Sequence, residues 1–253
     1  MSERSSGPHA SISTSELSIV SDPWLATIMA RDVHRVTGVW TVRQEHDTLR
    51  EIRRLLSRPG FVFARIATHE VGTSHRLEEC GLRLVDTALT LEAQPLPSVK
   101  TVGGRVRFAV SADEATVLDI ARHSFRYSRF HLDPDIPRSL ADEVKAQWAR
   151  NFFSRQRGDY MVIAEHEGRV VGFLQAISAA DQALCIDLIA VHPDHRGLGL
   201  AGEMIRFASR ECERPRALRV GTQSANIPSL MLYHKLGFRV AASHHVFHSH
   251  GPL

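Results

Sequence analysis

A glycine-rich loop between a predicted strand and a predicted helix is the clearest chemical feature of the sequence. It runs Ile189-Ala-Val-His-Pro-Asp-His-Arg196-Gly-Leu-Gly-Leu-Ala-Gly202. Glycines at the start of a helix let backbone N–H groups approach an anion without obstruction by a Cβ atom, and the helix dipole favours phosphate there. Arg196 adds a planar cation beside them. The pattern indicates a site for a phosphate-bearing ligand, with a ligand-free helix start as the alternative.

Two other phosphate-binding loops fit this stretch poorly. Gly197, Gly199 and Gly202 match the dinucleotide fingerprint G-x-G-x-x-G. That loop leaves its strand directly and meets an acidic residue about 20 residues later. Here five residues separate Val191 from Gly197, and position 222 is Thr. A Walker loop is excluded because no Lys-Ser or Lys-Thr follows the glycines.

Two spaced motifs carry a resemblance to a known family. Arg196-Gly-Leu-Gly-Leu-Ala201 fits the Arg/Gln-x-x-Gly-x-Gly/Ala signature of the GNAT superfamily of acyl-CoA-dependent N-acetyltransferases. Downstream, Asn226-Ile-Pro-Ser-Leu-Met-Leu-Tyr233-His-Lys-Leu-Gly237-Phe238 resembles the superfamily's Asn-x-x-Ala/Ser-x-x-x-Tyr-x-x-x-Gly-Phe segment. The order and distance of the two motifs also agree with that family.

The resemblance implies acetyl-CoA as the acyl donor. Its pyrophosphate would lie on the loop amides and Arg196, and its pantetheine arm would pair with the strand before the loop. Asn226 would hold the cofactor arm near a splayed fifth strand. The expected cofactor-binding residues are therefore Ile189, Ala190, Val191, Arg196, Gly197, Leu198, Gly199, Leu200, Ala201, Gly202 and Asn226.

The same resemblance makes Tyr233 the general acid. An amine attacks the thioester, an oxyanion forms near a strand amide such as that of Val191, and a protonated phenol can supply the proton to the leaving thiolate. A ring that only packs on the core is the alternative for Tyr233. No Cys lies at either motif, which favours direct transfer over a covalent intermediate. Asp187 is a candidate base, and a salt-bridged structural role is its alternative.

A further resemblance concerns the acceptor. Ala121-Arg-His-Ser-Phe125-Arg-Tyr-Ser-Arg129-Phe130, followed by Ala146-Gln-Trp148, is similar to the TDP-fucosamine acetyltransferase branch, which acts on a nucleotide-linked 4-amino-4,6-dideoxy sugar. By that similarity Phe125, Arg129 and Phe130 would border the acceptor site. The alternative is an amphipathic helix end with both Phe rings in the core and Arg129 in solvent. The branch's N-terminal entry motif is replaced here by Ser21-Asp-Pro-Trp-Leu-Ala-Thr-Ile28.

Two rival functions stay open at this stage. One is acylation of a peptide or protein amine, as in other branches of the superfamily. The other is a non-catalytic acyl-CoA-binding regulator, which would keep the glycine loop but has no need of Tyr233. Presence of Tyr233 therefore favours an enzyme.

The elements that position these residues alternate between helix and strand, which predicts an α/β or α+β protein. The resemblance implies the GNAT fold, a mixed and mostly antiparallel sheet flanked by helices. A Pro/Gly-rich stretch predicts a linker over 98–104. We therefore expect a disordered tail over 1–18, a smaller N-terminal partial GNAT-like α/β domain over 19–97, and the catalytic domain over 105–253.

The proposed N-terminal domain carries an internal echo of the catalytic one. At an offset of 156 residues, Leu77-Glu-Glu-Cys-Gly-Leu-Arg-Leu84 aligns with Tyr233-His-Lys-Leu-Gly-Phe-Arg-Val240. A helix, a capping glycine and a strand are expected in both. In the first copy, Leu77 and Glu70 occupy the positions of Tyr233 and Asn226. This replacement predicts that the first copy has lost the chemistry. Chance similarity is the alternative, since helix-Gly-strand is a common unit.

Composition limits the partners. Apolar residues make up 43% and charged residues 23% of the chain, which excludes a mostly disordered, fibrous or membrane-embedded protein. A net charge of +3 is too small to indicate nucleic-acid binding. We expect a small-molecule amine and acetyl-CoA as partners, no membrane association, and a homodimer as one option. Three widely spaced cysteines, which suit neither a disulfide framework nor zinc, favour the cytoplasm.

Four histidines crowd the C-terminal strand: His244, His245, His248 and His250. Alternation along a strand divides them between its two faces, and no carboxylate or Cys joins them in the sequence. We therefore expect solvent-facing or pocket-rim histidines and no metal.

Overall fold

The computed structural model describes residues 17–39, 45–97 and 105–252. Residues 1–16 of the expected tail and the whole expected linker lie outside them, whereas Leu17 is buried and a strand begins at Ser18. The strands are β1 (Ser18–Ser21), β2 (Val33–Thr37), β3 (Phe61–Ala67), β4 (Arg83–Ala93), β5 (Arg105–Phe108), β6 (Tyr160–His166), β7 (Arg169–Ser178), β8 (Ala183–Val191), β9 (Ala217–Gln223) and β10 (Arg239–His250). The helices are α1 (Pro23–Met29), α2 (Glu45–Leu56), α3 (Val71–Glu79), α4 (Glu114–Ser124), α5 (Arg129–Leu132), α6 (Arg138–Phe153), α7 (Leu200–Glu211) and α8 (Ile227–Lys235).

The ten strands of the described residues form one sheet in the order β1-β2-β3-β10-β4-β9-β8-β7-β6-β5. Only β2 with β3 and β8 with β9 pair in parallel; the other neighbours are antiparallel. Helices cover both faces of this sheet. The expectation of a mixed, mostly antiparallel sheet flanked by helices is confirmed. Within the described residues, no helix is long and apolar enough to span a membrane.

Alternating side chains of the central strands divide the core of the second half into two layers. Leu174 of β7 packs with α7, whose buried side chains recur at helical spacing: Leu200, Met204, Ile205 and Ala208. Its neighbour Phe173 points to the opposite face and packs with Val117 of α4 and Ala149 of α6. Helices on both faces therefore hold β8 and its following loop in place.

Two β-α-β units of nearly the same dimensions lie at the middle of the sheet. Each element of the second unit begins 156 residues after its counterpart: Phe61 and Ala217, Val71 and Ile227, Arg83 and Arg239. Each unit contributes its last strand to the other, because β10 lies between β3 and β4 while β4 lies between β10 and β9. The register also repeats, since His244 pairs with Ala67 and Ala88 pairs with Gln223.

The helix ends of the two units repeat as well. The N-cap residues Glu70 and Asn226 have φ/ψ of −83°/60° and −84°/64°. The residues that leave the helices, Gly81 and Gly237, have φ of 102° and 85°. This geometry supports the predicted echo; that residues 19–97 are a truncated copy of the catalytic domain stays a prediction.

Gly237→Ala should destabilise the protein by about 1–2 kcal/mol, because its φ of 85° is strained for an L side chain. Space is not the cause, since an added Cβ would meet nothing within 4 Å. Gly72→Ala is the matched control: it also meets nothing within 4 Å but lies in α3. The free energy of unfolding of Gly72→Ala, measured in urea, should equal or slightly exceed that of the unchanged protein. Equal losses in the two variants would contradict the assignment of strain to Gly237.

Candidate active site

A cleft opens where the parallel strands β8 and β9 separate. Their pairing covers only residues 183–186 with 217–220, although β8 continues to Val191. On its other side β8 stays paired with β7 as far as Val191. The amide of His192 donates a hydrogen bond to the carbonyl of Val171 on β7. Successive residues of a strand direct their backbone groups to opposite sides, so the amide and carbonyl of Val191 point toward the cleft. The splay expected of the fifth strand is therefore present.

The glycine loop closes one end of this cleft. Gly197 and Gly199 both have φ of 81°, and an added Cβ at either would meet nothing within 4 Å. Their backbone conformation, rather than a lack of space, requires glycine. Gly199 is the N-cap of α7 and supplies no side-chain cap, so the amides of the first turn are available to an anion. The side chain of Leu198 is exposed, whereas that of Leu200 is buried in the core.

Arg196 is tied to the protein on two sides. Its Nε donates to the carbonyl of Val191 at 3.2 Å and its Nη2 to the carbonyl of Ser124 at 2.8 Å. Partial burial lowers the pKa of its guanidinium. The side chain lines the cavity and also fixes the loop against β8 and the end of α4.

Asn226 and Tyr233 form the opposite wall. Asn226 caps α8, accepting from the amide of Ser229 and donating to Thr222 Oγ1, both at 3.3 Å. Tyr233 is 2% exposed and packs on Phe238, with ring centroids 5.5 Å apart, yet it also lines the cavity. Burial raises the pKa of its hydroxyl well above the ordinary value, so the phenol is protonated at neutral pH.

The cleft is part of a cavity of about 1880 Å³ that continues across the sheet. A single drug-sized ligand needs roughly 300–1,000 Å³, so two ligands fit together. One end is bounded by the glycine loop and α8, and the far end by β2, β3, β4 and β10. The N-terminal part of the chain thus supplies a wall of the same cavity.

Phe125, Arg129 and Phe130 all line or border this far end. The Arg129 guanidinium lies 4.0 Å from the ring centroid of Phe63 and 4.1 Å from that of Phe130. Desolvation lowers the pKa of Arg129 to about 9. The alternative is right in placing Phe130 in the core, where it is 2% exposed. It is wrong in placing Arg129 in solvent, because β3 and α5 hold its side chain between two rings.

Asp187 is saturated by hydrogen bonds. Its carboxylate accepts from both Nε and Nη2 of Arg157 (2.8 and 2.6 Å), from Trp148 Nε1 (2.8 Å) and from Gln175 Nε2 (3.0 Å). It lies at a β-bulge, since Ile186 and Leu188 pair with consecutive residues of β7 and Asp187 with none. The salt-bridged alternative is therefore favoured over a role as the base.

The structure corrects the expectation for the C-terminal histidines. His248 is 1% exposed, and its Nδ1 lies 2.6 Å from Asp133 Oδ2. His250 Nε2 lies 2.9 Å from the same oxygen, so a carboxylate does join the histidines. The three ligand atoms lie within 4.8 Å of one another, as metal ligands do. Arg129 Nη1 lies 3.0 Å from His248 Nε2. Because the guanidinium donates to this nitrogen, the contact favours a chain of hydrogen bonds from Arg129 through His248 to Asp133.

Lys145 is a cavity residue that the motifs did not identify. It is 8% exposed, and its Nζ lies 4.8 Å from the ring centroids of both Phe125 and Trp148. Desolvation lowers its pKa to about 8. The sequence does hold a signal, because Lys145 interrupts the buried stripe of α6 at four-residue spacing from Ala141 and Ala149.

Residues 116–238 match the model of the Acetyltransferase (GNAT) family. The chain is 28% identical over 213 residues to the spore coat polysaccharide biosynthesis protein SpsD of Bacillus subtilis, covering 83% of this chain and 69% of that protein. It is also 26% identical over 152 residues to an L-methionine sulfoximine/L-methionine sulfone acetyltransferase of Salmonella typhimurium, covering 54% of this chain and 81% of that enzyme.

The fold has a counterpart among solved structures. A GCN5-related N-acetyltransferase from Sphaerobacter thermophilus superposes with a TM-score of 0.62 at 14% sequence identity, over 92% of this chain and 76% of that one. The strand order, the splayed cleft and the loop that opens α7 agree with the family match. Residues 116–238 are therefore similar in sequence to the Acetyltransferase (GNAT) family, and the chain has the fold of a solved GCN5-related N-acetyltransferase.

Proposed function

We propose that the protein transfers an acetyl group from acetyl-CoA to the primary amine of a small molecule, with a nucleotide-linked amino sugar as the acceptor. The observation that carries the proposal is the continuous cavity, which joins an anion-binding helix start to a second, cation-lined compartment past the separated strands. Room for two ligands supports direct transfer in a ternary complex.

The residues of the cleft fit the expected donor. Open amides at the start of α7 and the adjacent Arg196 suit a pyrophosphate, and the unpaired edge of Ile189, Ala190 and Val191 suits an extended amide-containing arm. Asn226, between β9 and α8, borders the same arm. When bound, acetyl-CoA supplies a thioester carbonyl that is open to attack by an amine.

We assign two chemical roles to the chain. The backbone N–H of Val191, which faces the cleft, stabilises negative charge on the carbonyl oxygen while the N–C bond forms and the C–S bond breaks. Tyr233 Oη gives its proton to the departing sulfur. The amine loses its own proton to solvent, and solvent returns one to Tyr233. Because burial raises the pKa of Tyr233, its hydroxyl remains protonated until the transfer step.

The choice of acceptor rests on three supports. The segment from Ala121 to Phe130 resembles the amino-sugar branch, the relative SpsD is named for polysaccharide biosynthesis, and the far compartment offers aromatic and cationic side chains. Sugar rings pack on aromatic faces and phosphates pair with Arg. The three cysteines are buried and free, which supports our proposal of a cytoplasmic enzyme.

Gly199→Ala should weaken acetyl-CoA binding about tenfold or more, because strain at φ 81° displaces the amides that start α7. The matched control is Gly81→Ala, which also has a positive φ and meets only one side chain, at 3.9 Å, in the first β-α-β unit. Isothermal titration of both variants with acetyl-CoA measures the difference. Unchanged affinity in Gly199→Ala, or equal losses in the two variants, would remove the loop from the donor site.

A further inference from the structure

Four cationic side chains gather at the far end of the cavity: Arg35 of β2, Arg65 of β3, Arg129 of α5 and Lys145 of α6. We refer to them as the distal cation cluster. Arg129 lies within electrostatic reach of the other three. Desolvation is the main cause of the lowered pKa of Arg129 and of Lys145, and nearby Asp side chains oppose it. The charges of Arg65 and Arg35 add to the lowering at Arg129, and the charge of Arg129 adds to it at Lys145. Like charges held this close in a half-buried wall oppose folding unless something offsets them.

Neighbouring groups hold Arg129 of the cluster in position. Arg129 lies between the rings of Phe63 and Phe130, and its Nη1 contacts His248. Because His248 Nε2 accepts from Arg129, its Nδ1 donates to Asp133. Such pre-ordered guanidinium groups lose little conformational freedom when they bind a ligand.

Asp86 of β4 lines the same cavity, and its charge acts on Arg65. Three other nearby carboxylates are engaged by other groups. Asp133 accepts from His248 and His250, Asp187 accepts from Arg157, and Asp22 caps α1 through the amide of Leu25. Within the described part of the chain, no carboxylate oxygen lies within 4.0 Å of the charged nitrogens of Arg129 or Lys145. The charges of these two cavity-lining cations are therefore not neutralised by a direct ion pair with a described residue.

We propose that the distal cation cluster binds the phosphate groups of the acceptor. The acceptor is then an amine that carries a phosphoryl or diphosphoryl group, and its charged end lies against β2 and β3 while its amine reaches the cleft. Guanidinium groups match phosphate oxygens by two-pronged hydrogen bonds, and several cations suit a multiply charged anion. This inference rests on the proposed function, and it gives the N-terminal part of the chain the task of acceptor recognition.

The two anion sites have to be separated in the test, because acetyl-CoA itself contains a diphosphate. The protein is first saturated with acetyl-CoA, which occupies the glycine loop. It is then titrated calorimetrically with inorganic pyrophosphate and with thymidine diphosphate. We expect both to bind the saturated protein. Absence of binding by either probe, with acetyl-CoA still bound, would overturn the inference alone, whereas failure of acetyl-CoA to bind at all would overturn the proposed function.

Variants then locate the second site. Arg65→Gln and Arg35→Gln should each weaken pyrophosphate binding tenfold or more while the affinity for acetyl-CoA stays within twofold. The matched control is Arg83→Gln, which removes one exposed cation from β4 outside the cavity. Two separate variants guard against misfolding of one, and circular dichroism identifies a folded variant. Equal pyrophosphate affinity in Arg83→Gln and in either folded cluster variant would overturn the assignment.

Discussion

Tyr233→Phe should slow acetyl transfer by about 100-fold or more, because general acid catalysis contributes about 10²–10⁴-fold and only the hydroxyl is removed. The ring stays in place against Phe238, so the affinity for acetyl-CoA should remain within about twofold. The high pKa of the buried phenol adds a second expectation. The rate should show no loss attributable to ionisation of Tyr233 up to about pH 10, the ordinary pKa of tyrosine.

Tyr160→Phe is the matched control for this substitution. Tyr160 begins β6, is half-buried and lies outside the residues that line the cavity. Release of free CoA thiol, followed continuously at saturating acetyl-CoA, measures both variants. Undiminished turnover in Tyr233→Phe, or the same loss in Tyr160→Phe, would remove Tyr233 from the role of acid.

The largest effect on stability is expected for Phe247→Ala. Phe247 is 1% exposed on β10 and packs into the core of the N-terminal part with Val62, Ile66 and Leu77. Removing a buried Phe costs about 3–5 kcal/mol, since the transferred surface and the cavity left behind both contribute. Because β10 is the strand inserted between β3 and β4, the loss should loosen the joint core of the two units.

Val240→Ala on the same strand provides the comparison. Its side chain is 59% exposed, so the free energy of unfolding in urea should change by less than about 0.5 kcal/mol. If Phe247→Ala cost no more than Val240→Ala, β10 would not support the N-terminal core as the sheet order requires.

Local patterns in the sequence predict the elements that bear the chemistry. The glycine loop predicts the start of α7, which begins at Leu200, and the Asn226 to Phe238 segment predicts α8. Glycines with positive φ occur where the loop and the helix end need them, at Gly199 and Gly237. These features succeed because each depends on backbone preferences within a few residues.

Partners that are distant in the chain escape such reasoning. Alternation along β10 shows which side chains share a face, but not that β3 and β4 flank it, so the exchange of strands is not predictable from the pattern. His248 and Asp133 are 115 residues apart, and no local sequence pattern around either residue predicts their contact. The placement of Arg129 between two rings has the same cause, since Phe63 precedes it by 66 residues in the chain.

One measurement addresses the central claim most directly. The purified protein is incubated with acetyl-CoA and a nucleotide-linked 4-amino-4,6-dideoxy sugar, and the products are analysed by mass spectrometry alongside a parallel set of simple and peptide amines. We predict an amino sugar with one added acetyl group, formed together with one free CoA thiol per product and only when acetyl-CoA is present. Bound acetyl-CoA without acetylation of any amine would contradict an acetyl-transfer function, and acetylation confined to peptide amines would contradict the proposed acceptor.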